Sequence, residues 1–449
     1  MIITNGRIVT WGSPNAILLD QALLIENGLI QKINKPSELI LKYPEHQVID
    51  ARNMLVLPGN ICAHTHFYGA FSRGMAIPGE PPRNFVQILE RLWWKLDKAL
   101  DKEAIRYSTL VCLIDAIKHG TTTLIDHHAS PNLIDGSLDI IAEAVSQSGL
   151  RAALCYEVTD RDGNERAISG IAENSRFINK IKERNDYDGL IRAHFGLHAS
   201  LTLSDKTLEK CVEECPQEIG FHSHAAEGIA DQEECIEKYG KRVIERFSDV
   251  GILKDNSIMA HGIHLNEHEI DLLAENRTWL THQPRSNMNN AVGVAQVEKM
   301  LQRGVRIGLG NDGFSNAMWD EWKTAYLIHK DRHGDPQAMN GYSLLQIAIL
   351  NNADMVTSIF DDLRIGEIKE DAAADLIFVD YQEFTPLHAG NLPWHILFGF
   401  REGMVDSTMV AGKFLMHNKQ LMTIDELSIT QRALQSAFKT WKKVEEQGL

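Results

Sequence analysis

A chain of 449 residues is long enough for about three domains of the usual size, or for one barrel of about 250 residues with a smaller companion. With 44% hydrophobic and 24% charged residues it carries the apolar material of a large packed core, which excludes disordered and fibrous classes. Asp and Glu number 61 against 45 Lys and Arg, a net charge of −16 with no local basic patch, which argues against nucleic acid and anionic membrane surfaces as partners.

The stretch to residue 57 reads as short strands, among them Arg7 to Thr10 and Leu23 to Glu26, set off by the hairpin-type turn signals Asn5-Gly6 and Asn27-Gly28. It opens on no charged-then-apolar leader, and no apolar run approaches the roughly 18 residues of a membrane span, so a cytoplasmic protein is expected. Eight apolar strand candidates then alternate with amphipathic helical stretches. They are Leu55 to His66, Thr121 to His128, Arg151 to Val158, Ile191 to His198, Ile219 to Ala225, Ser257 to His264, Thr278 to His282 and Val305 to Asp312. Eight β-then-α units in about 250 residues predict an α/β fold, a closed (β/α)₈ TIM barrel. Strand texture returns at Asp375 to Asp380 and at Thr408 to Leu415, with a turn at Gly412-Lys413. The expected organisation is a small β-sandwich built jointly by residues 1–57 and 366–422, a barrel over 58–365, and a C-terminal helix over 423–449 packed on the barrel. Six cysteines without any C-x-x-C pair read as reduced packing residues.

Barrels of this kind do their chemistry at the C-terminal ends of the strands, and eleven of the nineteen histidines lie in or at the ends of the eight segments. His64 and His66, two apart at the end of the first strand, point their imidazoles to one face. His224 ends the fifth strand and Asp312 the eighth. Together they offer three neutral nitrogens and one carboxylate, a ligand set suited to zinc, or to another first-row divalent ion such as iron, with a position left for water. Two-metal barrels often bridge their ions through a carboxylated lysine ending strand four, and Ile191 to Ser200 holds no lysine, so one ion per chain is expected. Glu227, three residues past His224, is placed as a proton shuttle, and His261 as a group facing the water or the substrate. His222 shares a strand face with His224, where it either orients a ligand or rests in the core. The roles of His127 and His128 stay open. Arg73, Trp93, Trp94, Arg285 and Trp319 are candidates to stack on or pair with a flat polar ring.

The segments Leu57 to His66, His222 to Glu227, Ala260 to His264 and Gly308 to Asp312 resemble the amidohydrolase superfamily, in its aminohydrolase and chlorohydrolase branch. Phe71 to Met75, Leu92 to Asp97 and Pro284 to Asn290 resemble one subgroup of aminohydrolases within it. The resemblance implies mononuclear metal binding by His64, His66, His224 and Asp312, catalysis by Glu227, His261 and Asp312, and a pocket shaped by Pro284 to Asn287, so that Asn287 joins the substrate contacts. It matches His198 to a strand-four histidine that touches substrate. It also implies a homodimer acting on a small molecule. Two departures stand out. Ile368 to Asp375 lacks the usual glycine turn, and His282-Gln283 replaces the Asn or Cys that often precedes the proline.

The chemistry implied is attack of metal-activated hydroxide on an electrophilic ring carbon, with ammonia leaving a purine, pyrimidine, pterin or triazine. Dechlorination and hydrolysis of a cyclic amide or amidine on the same scaffold stay open. A non-catalytic barrel used for binding or assembly is the reading from a different class, and such proteins lose ligands that this chain retains.

Overall fold

The computed structural model describes residues 1–184 and 187–447. Eight parallel strands form its centre. Barrel strand one is Asn60–Thr65, two is Thr121–Asp126 and three is Arg151–Leu154. Strand four is in two pieces, Ile191–Ala193 and Phe195–Leu197. Strands five to eight are Phe221–Ala225, Ile258–His261, Trp279–His282 and Arg306–Leu309. Neighbours pair in sequence order, and the ring closes where Thr65 bridges Asp312 in parallel, with His66 N–H donating to Asp312 O at 2.9 Å and Asp312 N–H to His64 O at 3.0 Å. All eight strands therefore deliver their C-terminal residues to one mouth.

All eight strands are shorter than the expected segments, and two of the expected strands are divided. Leu55 to His66 divides at Pro58-Gly59, with Leu55–Pro58 in the sandwich and Asn60–Thr65 in the barrel. Gly59 allows this crossing, since a Cβ there would lie 2.2 Å from the Thr122 side chain. Strand four breaks at His194. Its first piece pairs with strand three and its second with strand five.

The remaining strands form two sheets. One has the order Leu29–Asn34, Ala22–Glu26, Ile2–Thr4, Val48–Asp50. The other runs from the C-terminal Gln420–Leu421, Lys413–His417, Val405–Val410 and Leu376–Val379 to the N-terminal Leu55–Pro58, Arg7–Val9 and Ile17–Leu18. Leu376–Val379 lies antiparallel to Leu55–Pro58, so both ends of the chain share one sheet. Ile3, Ile8, Leu23, Val56, Leu376, Phe378 and Met409 fill the space between the sheets. Asn27-Gly28 makes the expected hairpin, with both residues at positive φ. Asn5-Gly6 does not. It is a corner at which the chain leaves one sheet for the other, because Ile2–Thr4 and Arg7–Val9 pair with different partners.

A second apolar cluster joins Ile61, Ile125, Ala153, Ile258 and Trp279 of the strands to Met355, Val356 and Phe360 of the helix Asn351–Ile359 and its end. The helix Glu426–Glu446 buries Ile429, Ala433 and Val444, and Trp441 Nε1–H donates to Phe71 O at 2.7 Å. All six cysteines are buried and unpaired. Among the described residues no helix is long and apolar enough to cross a membrane.

Candidate active site

His64 Nε2, His66 Nε2, His224 Nε2 and an Asp312 carboxylate oxygen converge at the barrel mouth, all within 4.8 Å of one another. His66 Nε2 lies 3.1 Å from His224 Nε2 and 3.0 Å from Asp312 Oδ1, and His64 Nε2 lies 3.4 Å from the same oxygen. The far side of each ring fixes its tautomer. His66 Nδ1 contacts the carbonyl of His127, and His224 Nδ1 that of His198 at 3.0 Å. A carbonyl only accepts, so both Nδ1 atoms carry the hydrogen and both Nε2 lone pairs face inward. His64 Nδ1 meets His222 Nε2 at 2.8 Å, which settles the open place of His222 behind a mouth histidine. His64 Nε2 is buried without a hydrogen-bond partner among the described residues.

Facing lone pairs and an orphaned buried nitrogen are costly unless a cation sits among them. Burial pushes His64 down to about 3 and His224 well below the ordinary histidine range, so both stay neutral. At His66 burial acts in the same direction, but the Asp312 carboxylate outweighs it and draws the ring up to about 9. The carboxylate thus demands one positive charge at this point, as a proton or as a metal ion. The donor set fits a metal.

The backbone is bent to aim these groups. Asp312, three residues past strand eight, has φ 58° and His261, the last residue of strand six, φ 74°, left-handed conformations that are rare for non-glycine residues. His261 Nδ1–H donates to Asn287 Oδ1 at 2.8 Å, which leaves Nε2 facing Glu227 Oε2 at 3.4 Å. Glu227 also accepts from Asn290 Nδ2 at 3.2 Å. Burial, with the Asp312 charge adding to it and His261 opposing it, pushes the Glu227 carboxyl up to about 7. Ser286 Oγ donates to Asp312 Oδ2. The short helix Pro284–Asn289 and its C-cap Asn290 therefore touch Asp312, His261 and Glu227 alike.

The pocket above these groups is lined by Tyr68, Phe85, Leu89, Trp93 and Trp94 on its apolar side and by Asp97, Glu157 and His198 on its polar side. His198 is thus in the pocket, with Nδ1 2.6 Å from Thr202 Oγ1. Trp94 is there too, its face covered by the Arg161 guanidinium 5.2 Å from the ring centre.

Three other sequence candidates lie elsewhere. Arg73 is exposed and does not line the pocket. Arg285 turns away, its guanidinium held by Glu321 Oε1 at 2.6 Å and Ser315 O at 2.6 Å. Trp319 is buried against Phe400, ring centres 5.0 Å apart. Asn287 is within the site but backs His261 and does not line the pocket.

Sequence reasoning passed over Glu157, which follows strand three, is 3% exposed and faces the pocket. Its Oε2 lies 3.3 Å from His127 Nδ1 and its Oε1 3.7 Å from His198 Nε2. Burial pushes this carboxyl up, but the charges of His198, His127 and Arg161 prevail and hold it well below the usual range. An acidic residue just past a barrel strand was the available signal. His127 supplies the carbonyl behind His66, whereas His128 Nε2 bonds Ser130 Oγ at 2.9 Å, away from the mouth.

The model of the amidohydrolase family matches residues 55–415. The 5'-deoxyadenosine deaminase of Methanosarcina acetivorans is 30% identical over 442 residues, 97% of each chain. The 5-methylthioadenosine/S-adenosylhomocysteine deaminase of Thermococcus sibiricus is 32% identical over 422 residues, 93% of this chain and 94% of its own. Among solved structures, a zinc-bound adenosine deaminase from Xanthomonas campestris superposes with a TM-score of 0.84 at 21% identity, over 98% of each chain. A zinc complex of an atrazine chlorohydrolase from Arthrobacter aurescens does so with a TM-score of 0.81 at 19% identity, over 97% of this chain and 99% of its own. At those identities the likeness shows a shared fold, the TIM barrel with its sandwich. Matched across its barrel and along nearly its whole length, the chain belongs to the amidohydrolase family, and it is a hydrolase acting on carbon–nitrogen bonds other than peptide bonds.

Proposed function

We propose that the chain is a metal-dependent deaminase that releases ammonia from a flat N-heterocycle of the purine, pyrimidine, pterin or triazine kind. One divalent ion, zinc, is held by His64, His66, His224 and Asp312. The observation that carries this reading is the convergence of three inward imidazole nitrogens and a carboxylate beside a buried acid, Glu227, and a pinned imidazole, His261. Relatives of nearly equal length bear the names of adenosine-type deaminases, which supports the purine end of the range.

When bound, the ion supplies Lewis acidity that lowers the pKa of coordinated water toward about 7. The remaining steps fall to the chain. Asp312 accepts the water proton at Oδ2, where Ser286 already donates and steadies the carboxylate, and returns it to the amino nitrogen, so that the C–N bond breaks and ammonia leaves. Glu227, whose carboxyl is pushed up to about 7 by burial, is poised to deliver a proton to the ring nitrogen and to take one back from the added hydroxyl. His261 presents Nε2 to the developing tetrahedral centre. Trp93 and Trp94 line the apolar side of the pocket, where the ring would lie, and His198 and Glu157 line its polar side.

The test is ammonia release from a panel of purines, pyrimidines, pterins and triazines by zinc-loaded protein. Release from one member, lost with the barrel-mouth ion in Asp312→Ala and His66→Ala, is the expected result. Chloride release from a chlorinated ring without ammonia release from the aminated one would assign dechlorination instead. A tightly metal-loaded protein inert across the panel would overturn the deaminase reading.

A further inference from the structure

A second group of metal-ligating side chains lies outside the mouth. Glu298 belongs to the helix Val297–Gln302, which precedes barrel strand eight, and His329 and His333 belong to the helix Met318–His333, which follows it. One donor atom from each comes within 4.8 Å of the others. His329 Nδ1 is 2.9 Å from Glu298 Oε2, and His333 Nε2 is 3.5 Å from the same oxygen. The 3.5 Å contact is long for a hydrogen bond, but it is the spacing of two ligands on one ion, since tetrahedral zinc with bonds near 2.1 Å sets its donors about 3.4 Å apart.

Two further observations point to a ligand. Glu298 Oε1 is buried and has no hydrogen-bond partner among the described residues, an arrangement that costs free energy unless something outside the chain meets it. His329 is wholly buried, and behind it His282, the last residue of strand seven, places Nε2 3.1 Å from His329 Nε2. Two imidazole nitrogens at that distance share one hydrogen. With the hydrogen on His282, His329 donates from Nδ1 to Glu298. With it on His329 Nε2, the His329 Nδ1 lone pair is bare toward Glu298 and His333, and the ring has the polar backing that orients metal-ligating histidines. The second arrangement is stable only with a cation between the three donors. His333, at 41% side-chain exposure, leaves an entry from solvent.

We infer that Glu298, His329 and His333 form a second divalent-metal site, for zinc or a similar ion, that clamps the helices on either side of barrel strand eight. It shares no residue with the mouth quartet.

The experiment is zinc loading of the full chain by equilibrium dialysis, read by elemental analysis, for the wild type, His333→Ala, Glu298→Gln, Asp312→Ala and the double variant Asp312→Ala/His333→Ala. His333→Ala and Glu298→Gln are each expected to hold one zinc ion fewer than the wild type. The double variant should hold one fewer than Asp312→Ala, which keeps the result separate from the fate of the mouth site. Zinc should also raise the melting temperature of Asp312→Ala but not that of the double variant. His333 is exposed at a helix end, so its substitution leaves the fold intact. Equal zinc content in wild type and His333→Ala, or equal thermal shifts in the last pair, would overturn the site.

Discussion

Glu227 and His261 sit against each other at 3.4 Å, neither inside the donor quartet, and this separation of labour can be measured. Glu227→Gln preserves shape and the contact with Asn290 but carries no transferable proton. It should cost on the order of 10²-fold or more in kcat while metal content stays at the wild-type level. His261→Asn should also slow turnover with the metal retained, because a positioned polariser acts more on the transition state than on the ground state. Kinetics and elemental analysis on the same preparations check both, and loss of metal in Glu227→Gln would refute the assignment. The quartet itself was legible as sequence, since His64-x-His66, His224 and Asp312 all lie at or just past strand ends, and those ends share one mouth in a barrel. Arg73, Arg285 and Trp319 were not, because a residue type tells what a side chain can do and not where it points. Arg285 had a buried partner in Glu321, 36 residues away, that no local pattern reveals. Glu157 escaped for the converse reason. It belongs to no spacing motif, and its meaning comes from His127 and His198 on neighbouring strands.

At the scale of elements, the helix Pro284–Asn289 is the support on which the acid, the polariser and the carboxylate all lean. Pro284 starts it with a fixed φ, and Ser286, Asn287 and Asn290 then fall on the side facing the mouth. Asn287→Ala removes the acceptor that fixes the tautomer of His261. One lost hydrogen bond of about 1–1.5 kcal/mol should lower kcat about tenfold. Circular dichroism and zinc content should match the wild type, and a variant with unchanged kcat would show that His261 keeps its orientation without this bond. The alternation of strand and helix was readable along the chain, but strand ends were not. Apolar runs continue through Pro58-Gly59 and through His194, where pairing partners change while hydropathy does not. Asn5-Gly6 carries a hairpin signature yet serves as a corner, because the choice between the two is made by distant strands and not by the turn.

At the scale of the whole molecule, the barrel and the sandwich are joined by a buried ion pair. Arg151, at the start of strand three, approaches Asp375 through both Nε and Nη2, and Asp375 also accepts from Ala411 N–H at 2.7 Å. Their side chains are 4% and 1% exposed. Asp375→Ala would leave the guanidinium buried and alone, at a cost of about 3–5 kcal/mol. A clear fall in the denaturant midpoint is expected, with the kinetic constants of the surviving folded fraction little changed. An unaltered midpoint would show that water or another group replaces the carboxylate.

The shared sheet also sets an order of events during synthesis. Leu55–Pro58 pairs on one side with Arg7–Val9, which is made before it, and on the other with Leu376–Val379, more than three hundred residues later. Until that second strand emerges, the first offers an open edge of Leu, Val and Leu, the kind of edge that recruits other chains. Nascent chains stopped before residue 376 should therefore aggregate or hold chaperones, whereas chains that reach Val410 can close the edge upon themselves.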